Sequence, residues 1–295
     1  MTESVADTAV DGGFQPFTFS IVGVQKAGTS TLQWMLNQHP QVARPPRKEM
    51  GWFDVDEATW LEADHASYGV QRTSPHQRAL GDATPRYLLM PGTLERMRDR
   101  LPDLRLIAIF RDPIDRLVSQ WVMVRERQPD RAPDWPEMMA WRPPSFPTIL
   151  PEEFTGPGGR ARFMRASGVV RGYYGGQVEH GLTVFPREQW LFLDFASLLA
   201  DHERQLDLVT DHVGVDRFRT HPPLRRLMAG SPTITGTAPT GEDLMVLARA
   251  LEPELAQYVA LTGLPVEHWT TERLLRGDLD AEEQAAAYAR KAGLD

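Results

Sequence analysis

The chain has 295 residues, of which 41% are hydrophobic and 24% are charged, as in an ordinary soluble globular protein. Its formal net charge of −8 argues against a polyanionic partner such as nucleic acid or a sulfated polysaccharide. No run approaches the roughly 18 consecutive apolar residues of a membrane span. Cysteine is absent, which excludes disulfides and thiolate metal sites and favours a reducing, cytoplasmic location.

Short apolar runs alternate with helical patterns along the chain. The runs predict buried strands at 17–24, 104–110 and 189–194, and a further short strand within 81–88. Helices are predicted from Ser30 to the turn at Pro40, from Asp112 through residue 127, and at 92–101, 203–213, 242–262 and 280–292. This order predicts an α/β fold: a single domain with a mostly parallel central sheet flanked by helices. Ligands of such folds bind at the carboxyl ends of the strands.

Three segments stand apart from this pattern. Residues 1–14 are polar and acidic, lack the features of a secretory signal, and are predicted to form a flexible tail. Residues 128–165 combine eight prolines with large aromatic side chains, which is typical of a docked lid or of a structural flap packed on the core. Residues 229–241 form a small, uncharged loop that we expect to be mobile.

The strand at 17–24 leads into the loop "GVQKAGTST", which has the features of an anion site. Gly23 and Gly28 permit a tight turn, and the amides of residues 29–31 open a helix whose dipole favours an anion. Lys26 supplies a cation, and lysine is rare here, since only three of the 32 basic residues are lysine. The triphosphate-binding pattern G-x-x-x-x-G-K-[ST] is not met, because Thr29 follows Gly28. An ordinary strand–helix turn is the alternative interpretation.

A second candidate anion site follows the strand at 104–110. Arg111 leaves the carboxyl end of that strand, and Ser119 lies on the following helix. Arg116 shares a helix face with Ser119, although an intrahelical pair with Asp112 or Asp115 is the favoured interpretation for it. Two anion sites on adjacent strand ends indicate a ligand with two separated phosphate groups.

These motifs resemble those of the PAPS-dependent sulfotransferases. "VGVQKAGTSTL" is similar to their 5′-phosphosulfate loop, and "FRDPIDRLVSQW" to their 3′-phosphate motif. The resemblance implies that 3′-phosphoadenosine 5′-phosphosulfate (PAPS) is the donor, that PAP is the product and that no metal is needed. The cofactor-binding residues that it implies are Lys26, Ala27, Gly28, Thr29, Ser30, Thr31, Arg111, Ser119 and Tyr174.

"KEMGWFD" at 48–54 resembles the segment that carries the catalytic glutamate in the heparan-sulfate branch of this superfamily. The resemblance implies Glu49 as general base, Lys26 and Lys48 as further catalytic residues, and three substrate-binding residues, which are Trp52, Arg86 and Trp141. An alternative for Glu49 is a surface carboxylate paired with Lys48 or Arg47, in which case the base is one of the eight histidines.

Further similarity at 81–88, 171–199 and 261–269 extends the expected sulfotransferase domain over 15–269. Residues 270–295 are then a helical appendage or a contact between copies in a homo-oligomer. The chain departs from the branch at Ala83, where a lysine is usual, and Lys48 or Arg86 is the candidate to supply that charge. It also departs at 229–241, which lacks basic residues, so that Arg225 and Arg226 are candidate substitutes.

The resulting functional prediction is transfer of a sulfuryl group to a hydroxyl, or less readily an amine, of a small molecule, glycolipid or secondary metabolite. Neither nucleic acid nor a membrane span is expected. Two alternatives remain open, a P-loop small-molecule kinase and a non-catalytic module that binds PAP or PAPS. No H-E-x-x-H or similar metal-ligand spacing occurs in the sequence, which argues against a metal site.

Overall fold

The structure is a computed structural model that describes residues 14–65, 68–225 and 233–294. Almost all of the predicted tail at 1–14, Arg226 and the first part of the predicted loop at 229–241 lie outside the described residues. Within the described ranges, no helix combines the length and the hydropathy needed to cross a bilayer.

Five parallel strands form the central sheet, in the order β3-β5-β2-β6-β7. The other two strands, β1 and β4, pair with each other in a small antiparallel ribbon. In chain order the strands are β1 (Phe14–Gln15), β2 (Phe19–Gly23), β3 (Val42–Ala43), β4 (Val70–Gln71), β5 (Ala79–Ala83), β6 (Arg105–Phe110) and β7 (Trp190–Asp194).

Helices cover the sheet and account for most of the remaining described chain. In chain order they are α1 (Thr29–Leu36), α2 (Glu57–Glu62), α3 (Thr93–Arg100), α4 (Pro113–Arg127), α5 (Trp135–Ala140), α6 (Gly159–Ala166), α7 (Tyr174–Val184), α8 (Phe195–Ala200), α9 (His202–Val213), α10 (Gly241–Thr262), α11 (Thr270–Arg276) and α12 (Ala281–Ala292). The predicted α/β fold with a mostly parallel sheet is therefore confirmed.

Local signals explain where several elements begin and end. Every residue of β2 is buried, as its continuous apolar run predicts. Asp112 caps α4, since its Oδ1 accepts the Asp115 amide at 2.7 Å, and Pro113 occupies the first turn. The short strand predicted within 81–88 lies earlier, at 79–83, and the chain turns immediately before Pro85, which has no amide to donate to a ladder.

The last two helices pack on the body of the domain. α11 and α12 both contact α10, and α11 also contacts α4. Three side chains of α12, Ala285, Tyr288 and Ala292, are buried. The Thr271 amide donates to Asp112 Oδ2 at 2.7 Å, which joins α11 to the start of α4. The C-terminal helices therefore lie close to the loop that follows β6.

Candidate active site

Four neighbouring strands bring the main predicted site residues to one edge of the sheet. Glu49 follows β3, Arg86 follows β5, Lys26 follows β2 and Arg111 follows β6. Parallel neighbours end at the same edge, and two contacts confirm the proximity. Arg86 Nη1 lies 3.4 Å from Glu49 Oε2, and Arg111 Nη1 donates to the Lys26 carbonyl at 3.3 Å.

The loop between β2 and α1 is shaped for close approach by a ligand. Gly28 has a φ of 88°, and a Cβ at this position would lie 2.6 Å from the Phe195 ring, so no larger residue fits. No side chain caps α1, and the Leu32 amide makes the first helical bond, to the Gly28 carbonyl at 3.0 Å. The amides of residues 29–31 therefore have no partner within the helix and can bind an anion.

Lys26 carries a charge that the described part of the chain leaves without a carboxylate partner. In the described ranges its ammonium hydrogen-bonds only to Met123, with Nζ 3.5 Å from Sδ. Burial lowers the pKa of Lys26, and the nearby charges of Arg127 and Arg111 lower it further. A bound anion would relieve this unfavourable environment of the ammonium.

The other predicted residues of the loop differ in exposure. Ala27 and Thr29 are buried, whereas Ser30 is half-buried at the first turn of α1. The Thr31 hydroxyl donates to the Arg225 carbonyl at 3.2 Å, and the Arg225 guanidinium lies 4.6 Å from the centre of the Trp34 ring. Arg225 therefore lies beside α1, close to its first turn.

The second candidate anion site has a cation and a hydroxyl that a ligand could reach. Arg111 Nη2 is 3.6 Å from Asp115 Oδ2, beyond a normal hydrogen bond. The Ser119 hydroxyl is half-buried and has no hydrogen-bond partner in the described ranges. Tyr174 is buried beneath the site, and its hydroxyl donates to the Arg111 carbonyl at 2.9 Å. Tyr174 thus supports the Arg111 main chain.

The interpretation of Arg116 as a partner of Asp112 or Asp115 is wrong. Arg116 is fully buried, and it donates to Gln120 Oε1 at 2.7 Å and to the Gly168 carbonyl. These two acceptors hold its guanidinium, and it forms no ion pair with Asp112 or Asp115 in the described ranges. Burial lowers the pKa of Arg116 to about 10.

A second buried arginine supports the loop between β2 and α1 and was missed by sequence reasoning. Arg171 is buried and donates to Gln25 Oε1 at 2.8 Å and to Ser167 Oγ at 3.2 Å. Burial lowers its pKa to about 9, and the charge of Arg116 adds to the shift. Arg171 thus holds the Gln25 side chain, one residue before Lys26.

Glu49 is held at a turn by two cations. Its Oε1 is 2.7 Å from Lys48 Nζ and its Oε2 is 3.4 Å from Arg86 Nη1, while about one third of the side chain (35%) stays exposed. Its φ is 58°, and in the described ranges the only other non-glycine residue with a positive φ is Lys26, at 73°. Left-handed backbone at non-glycine residues is concentrated at functional sites.

A buried polar chain supports the turn that carries Glu49. The Gly51 amide donates to Thr84 Oγ1 at 3.3 Å, and the Thr84 hydroxyl donates to Asp82 Oδ2 at 2.6 Å. The Ser20 hydroxyl donates to the other Asp82 oxygen at 2.7 Å. Burial raises the pKa of Asp82 to about 6. Sequence reasoning did not identify this chain, which links β2 and β5 to the Glu49 turn.

Asp54 connects the predicted lid to the Glu49 cluster. Its carboxylate is completely buried, and Oδ2 accepts Arg86 Nε at 2.8 Å and Arg160 Nη2 at 2.7 Å. Arg160 lies on α6, within the predicted lid at 128–165. Arg86 therefore bridges Glu49 and Asp54, while Arg160 joins the lid to the same carboxylate.

The two tryptophans predicted to bind substrate lie in aromatic clusters. Trp52 stacks between Phe17 and Tyr68, with ring centres 5.2 and 4.9 Å away. Trp141 contacts Phe154 and Phe163 edge-on, at 4.9 and 5.7 Å between ring centres. Both tryptophans are half-buried by these contacts, and their roles in substrate binding stay predictions.

A family model described as "Sulfotransferase domain" matches residues 18–221, which is more than half of the chain. The chain belongs to this sulfotransferase family. The prediction of the superfamily is thus confirmed, and the matched region of this sulfotransferase contains Lys26, Glu49, Arg111 and Tyr174. Helices α10 to α12 follow the matched region.

Curated sulfotransferases share parts of this sequence. The chain is 36% identical over 104 residues to the membrane-associated sulfotransferase kil1 of Dictyostelium discoideum, covering 35% of this chain and 22% of that protein. It is 29% identical over 202 residues to human heparan sulfate glucosamine 3-O-sulfotransferase 6, covering 68% of this chain and 53% of that protein. The match thus spans about half or less of each relative.

A solved structure of a sulfotransferase from Alicyclobacillus acidocaldarius also resembles this sulfotransferase. The two align with a TM-score of 0.63 and 25% sequence identity, covering 86% of this chain and 98% of that chain. The agreement extends over most of both proteins, so the fold of this sulfotransferase is that of the solved relative.

Proposed function

We propose that this sulfotransferase moves the sulfuryl group of PAPS to a hydroxyl of a small-molecule, glycolipid or secondary-metabolite acceptor. The observation that carries the proposal is the order of side chains along the sheet edge, where Glu49 and Arg86 are followed by Lys26 and Arg111. The candidate base thus lies at the β3 end of the sheet edge and the anion-binding side chains at the β6 end. This order suits an acceptor bound near Glu49 and a donor bound near Arg111, with the sulfuryl group between them beside Lys26.

The donor end fits the two anionic parts of PAPS. The uncapped amides of α1 and the unpaired Lys26 ammonium suit the phosphosulfate. The loosely held Arg111 and the free hydroxyl of Ser119 suit a separate 3′-phosphate. PAPS has a single 5′-phosphate next to its sulfuryl group and therefore no chain of phosphates for a metal to bridge. The Lys26 ammonium alone can then supply the positive charge.

In the proposed reaction the acceptor oxygen attacks sulfur in line. The new O–S bond forms while the bond from sulfur to the bridging oxygen of the 5′-phosphate breaks, so PAP leaves with the bonding electrons. Lys26 stabilises the charge that develops on the bridging oxygen. Glu49 accepts the proton of the acceptor hydroxyl, and its ion pairs with Lys48 and Arg86 orient the carboxylate.

Charge around Glu49 favours an acceptor without many anionic groups. Lys48 pairs with Glu49, Arg160 pairs with Asp54, and Arg86 pairs with both carboxylates. The cations at the acceptor end are therefore largely compensated, and the whole chain carries a net charge of −8. This arrangement supports a neutral or weakly charged hydroxyl acceptor over a highly sulfated polymer.

We expect PAP to stabilise the protein against heat without added metal. A ligand that binds only the native state at about 100 times its Kd adds roughly 2.7 kcal/mol, which raises Tm by about 5 °C at this size. Scanning calorimetry with PAP, with and without EDTA, measures this. Unchanged stabilisation in EDTA is expected, since the described residues contain no cluster of three metal-ligating side chains.

The same experiment separates the alternatives. Stabilisation by ATP with magnesium but not by PAP would replace the sulfotransferase proposal with a small-molecule kinase. Tight PAP binding without transfer from labelled PAPS to any member of a panel of hydroxyl and amine acceptors would instead indicate a non-catalytic module. Transfer to heparan-like polymers alone would overturn the proposed acceptor class.

The lid at 128–165 is expected to loosen when its ion pair with Asp54 is removed. Arg160→Gln deletes the Arg160–Asp54 pair but leaves Asp54 bound to Arg86. Amide hydrogen exchange in α6 should quicken by roughly fivefold, the effect of losing about 1 kcal/mol from one partly exposed ion pair. Mass spectrometry of deuterated peptides from 128–165 measures this change.

Arg162→Gln is the matched control on the same helix. Arg162 donates to the carbonyls of Pro157 and Thr155, so its bonds stay within the lid and do not reach Asp54.

We also expect acceptor binding to slow hydrogen exchange in the lid of the wild-type protein. If hydrogen exchange in 128–165 is the same with and without acceptor, and Arg160→Gln does not change it, the segment is a structural flap and not a lid.

A further inference from the structure

We propose that Tyr288 of α12 is a positioning residue for the 3′-phosphate site. Its hydroxyl binds one oxygen of the Asp115 carboxylate and keeps the ion pair between Asp115 and Arg111 long, so that the Arg111 guanidinium can also bind the phosphate. This inference rests on the proposed function. It gives the C-terminal helices, which follow the region matched by the family model, a role in donor binding.

The contact between Tyr288 and Asp115 is short and partly buried. The Tyr288 side chain is 3% exposed, and its hydroxyl donates to Asp115 Oδ1 at 2.5 Å. Hydrogen bonds to a carboxylate are shorter and stronger than those between neutral groups. Burial raises the pKa of Tyr288, and the charges of Asp115 and Asp112 raise it further, so the phenol stays a proton donor.

Asp115 is the natural competitor of a phosphate for Arg111. Arg111 lies just before the N-cap of α4 and Asp115 in the first turn of that helix, four residues later, and the two form an ion pair. In this structure Asp115 Oδ2 stops 3.6 Å from Arg111 Nη2. Arg111 also donates to the Lys26 carbonyl and lies 5.6 Å from the centre of the Phe195 ring. The guanidinium is therefore held in place, while its ion pair with Asp115 is longer than a normal hydrogen bond.

The C-terminal segment is built into this region by several contacts. The Thr271 amide donates to Asp112 Oδ2 at 2.7 Å, and Trp269 Nε1 donates to Asp194 Oδ1 at 3.2 Å. Trp269 also lines a cleft of about 260 Å³ together with Arg111. The C-terminal segment that carries Tyr288 is thus anchored beside the cleft that contains Arg111.

Loss of the Tyr288 hydroxyl is expected to weaken binding of the 3′-phosphate specifically. The freed carboxylate would close its 3.6 Å ion pair with Arg111 to hydrogen-bond distance, and a bound 3′-phosphate would have to displace it. We expect Tyr288→Phe to weaken PAP binding by roughly tenfold, as for the loss of one hydrogen bond to a charged group. Binding of 5′-AMP, which lacks the 3′-phosphate, should change by less than about twofold.

Isothermal titration of PAP and 5′-AMP into each variant tests this selectivity. Tyr258→Phe is the matched control, because the buried Tyr258 hydroxyl has no hydrogen-bond partner in the described ranges. It should leave both affinities unchanged. Tyr288→Phe keeps the ring and its packing, so a general loss of structure would weaken both ligands alike and would contradict the proposal.

A second variant tests whether Tyr288 acts through Asp115. Asp115→Asn removes the negative charge that competes for Arg111, so Tyr288→Phe should lose its effect in that background. A tenfold loss of PAP affinity that persists in Asp115→Asn would overturn the inference. If the wild-type protein binds PAP no better than 5′-AMP, the proposed function itself fails. If it prefers PAP and Tyr288→Phe keeps that preference, only the role of Tyr288 fails.

Discussion

Glu49→Gln is expected to lower the turnover number by roughly 100-fold or more, the usual contribution of a general base. Glutamine keeps the size of the side chain and can still bond to Lys48 and Arg86, but it cannot accept the acceptor proton. The carboxylate acts only when that proton moves, so PAP affinity should change by less than about twofold. Initial rates with labelled PAPS and titration with PAP measure the two effects.

Glu57→Gln is the matched control for this substitution. Glu57 also pairs with an arginine, Arg96, but it lies on α2 and its side chain is 70% exposed. Its replacement should leave both turnover and PAP affinity unchanged. Near-normal turnover of Glu49→Gln on the true acceptor would show that Glu49 is only a structural partner of Lys48. The general base would then have to be one of the histidines.

Lys26→Ala is expected to weaken donor binding and turnover together. The ammonium faces the phosphosulfate in both the ground state and the transition state, where the bridging oxygen gains charge. We expect PAP affinity to fall by roughly tenfold and turnover by roughly 100-fold or more. Lys26→Arg should retain part of the affinity but little of the turnover, because a flat guanidinium cannot replace a compact ammonium at the bridging oxygen.

The pH dependence of PAP binding provides a second measure of the role of Lys26. Burial and nearby arginines lower its pKa in the free protein, and a bound anion would raise it again. Binding should therefore take up protons at alkaline pH, and PAP affinity should fall as pH rises through the pKa of Lys26. Titrations in buffers of different ionisation enthalpy report this proton uptake.

Lys26→Ala should abolish the alkaline loss of PAP affinity, whereas Lys291→Ala should keep it. Lys291 is exposed on α12 and serves as the control for loss of one positive charge. Unchanged proton uptake in Lys26→Ala would assign the titration to another group and would remove Lys26 from the donor site.

The sequence by itself determined the main strands, most helices and the two donor-binding loops. These features depend on neighbouring residues: an apolar run predicts β2, and Asp112 with Pro113 marks the start of α4. Gly28 is also a local signal, because the turn before α1 requires its positive φ. Strands of two residues, such as β3, were missed because they are too short to show a period.

Only the tertiary structure decided which polar side chains support the site. Ser20 and Asp82 are 62 residues apart, Asp54 and Arg160 are 106 apart, and Asp115 and Tyr288 are 173 apart. No local pattern marks such pairs, because a side chain's partner across elements depends on how the sheet and helices pack. Lys26 and Glu49 could be proposed from their motifs, but the contacts that orient them arise from packing at one edge of the parallel sheet.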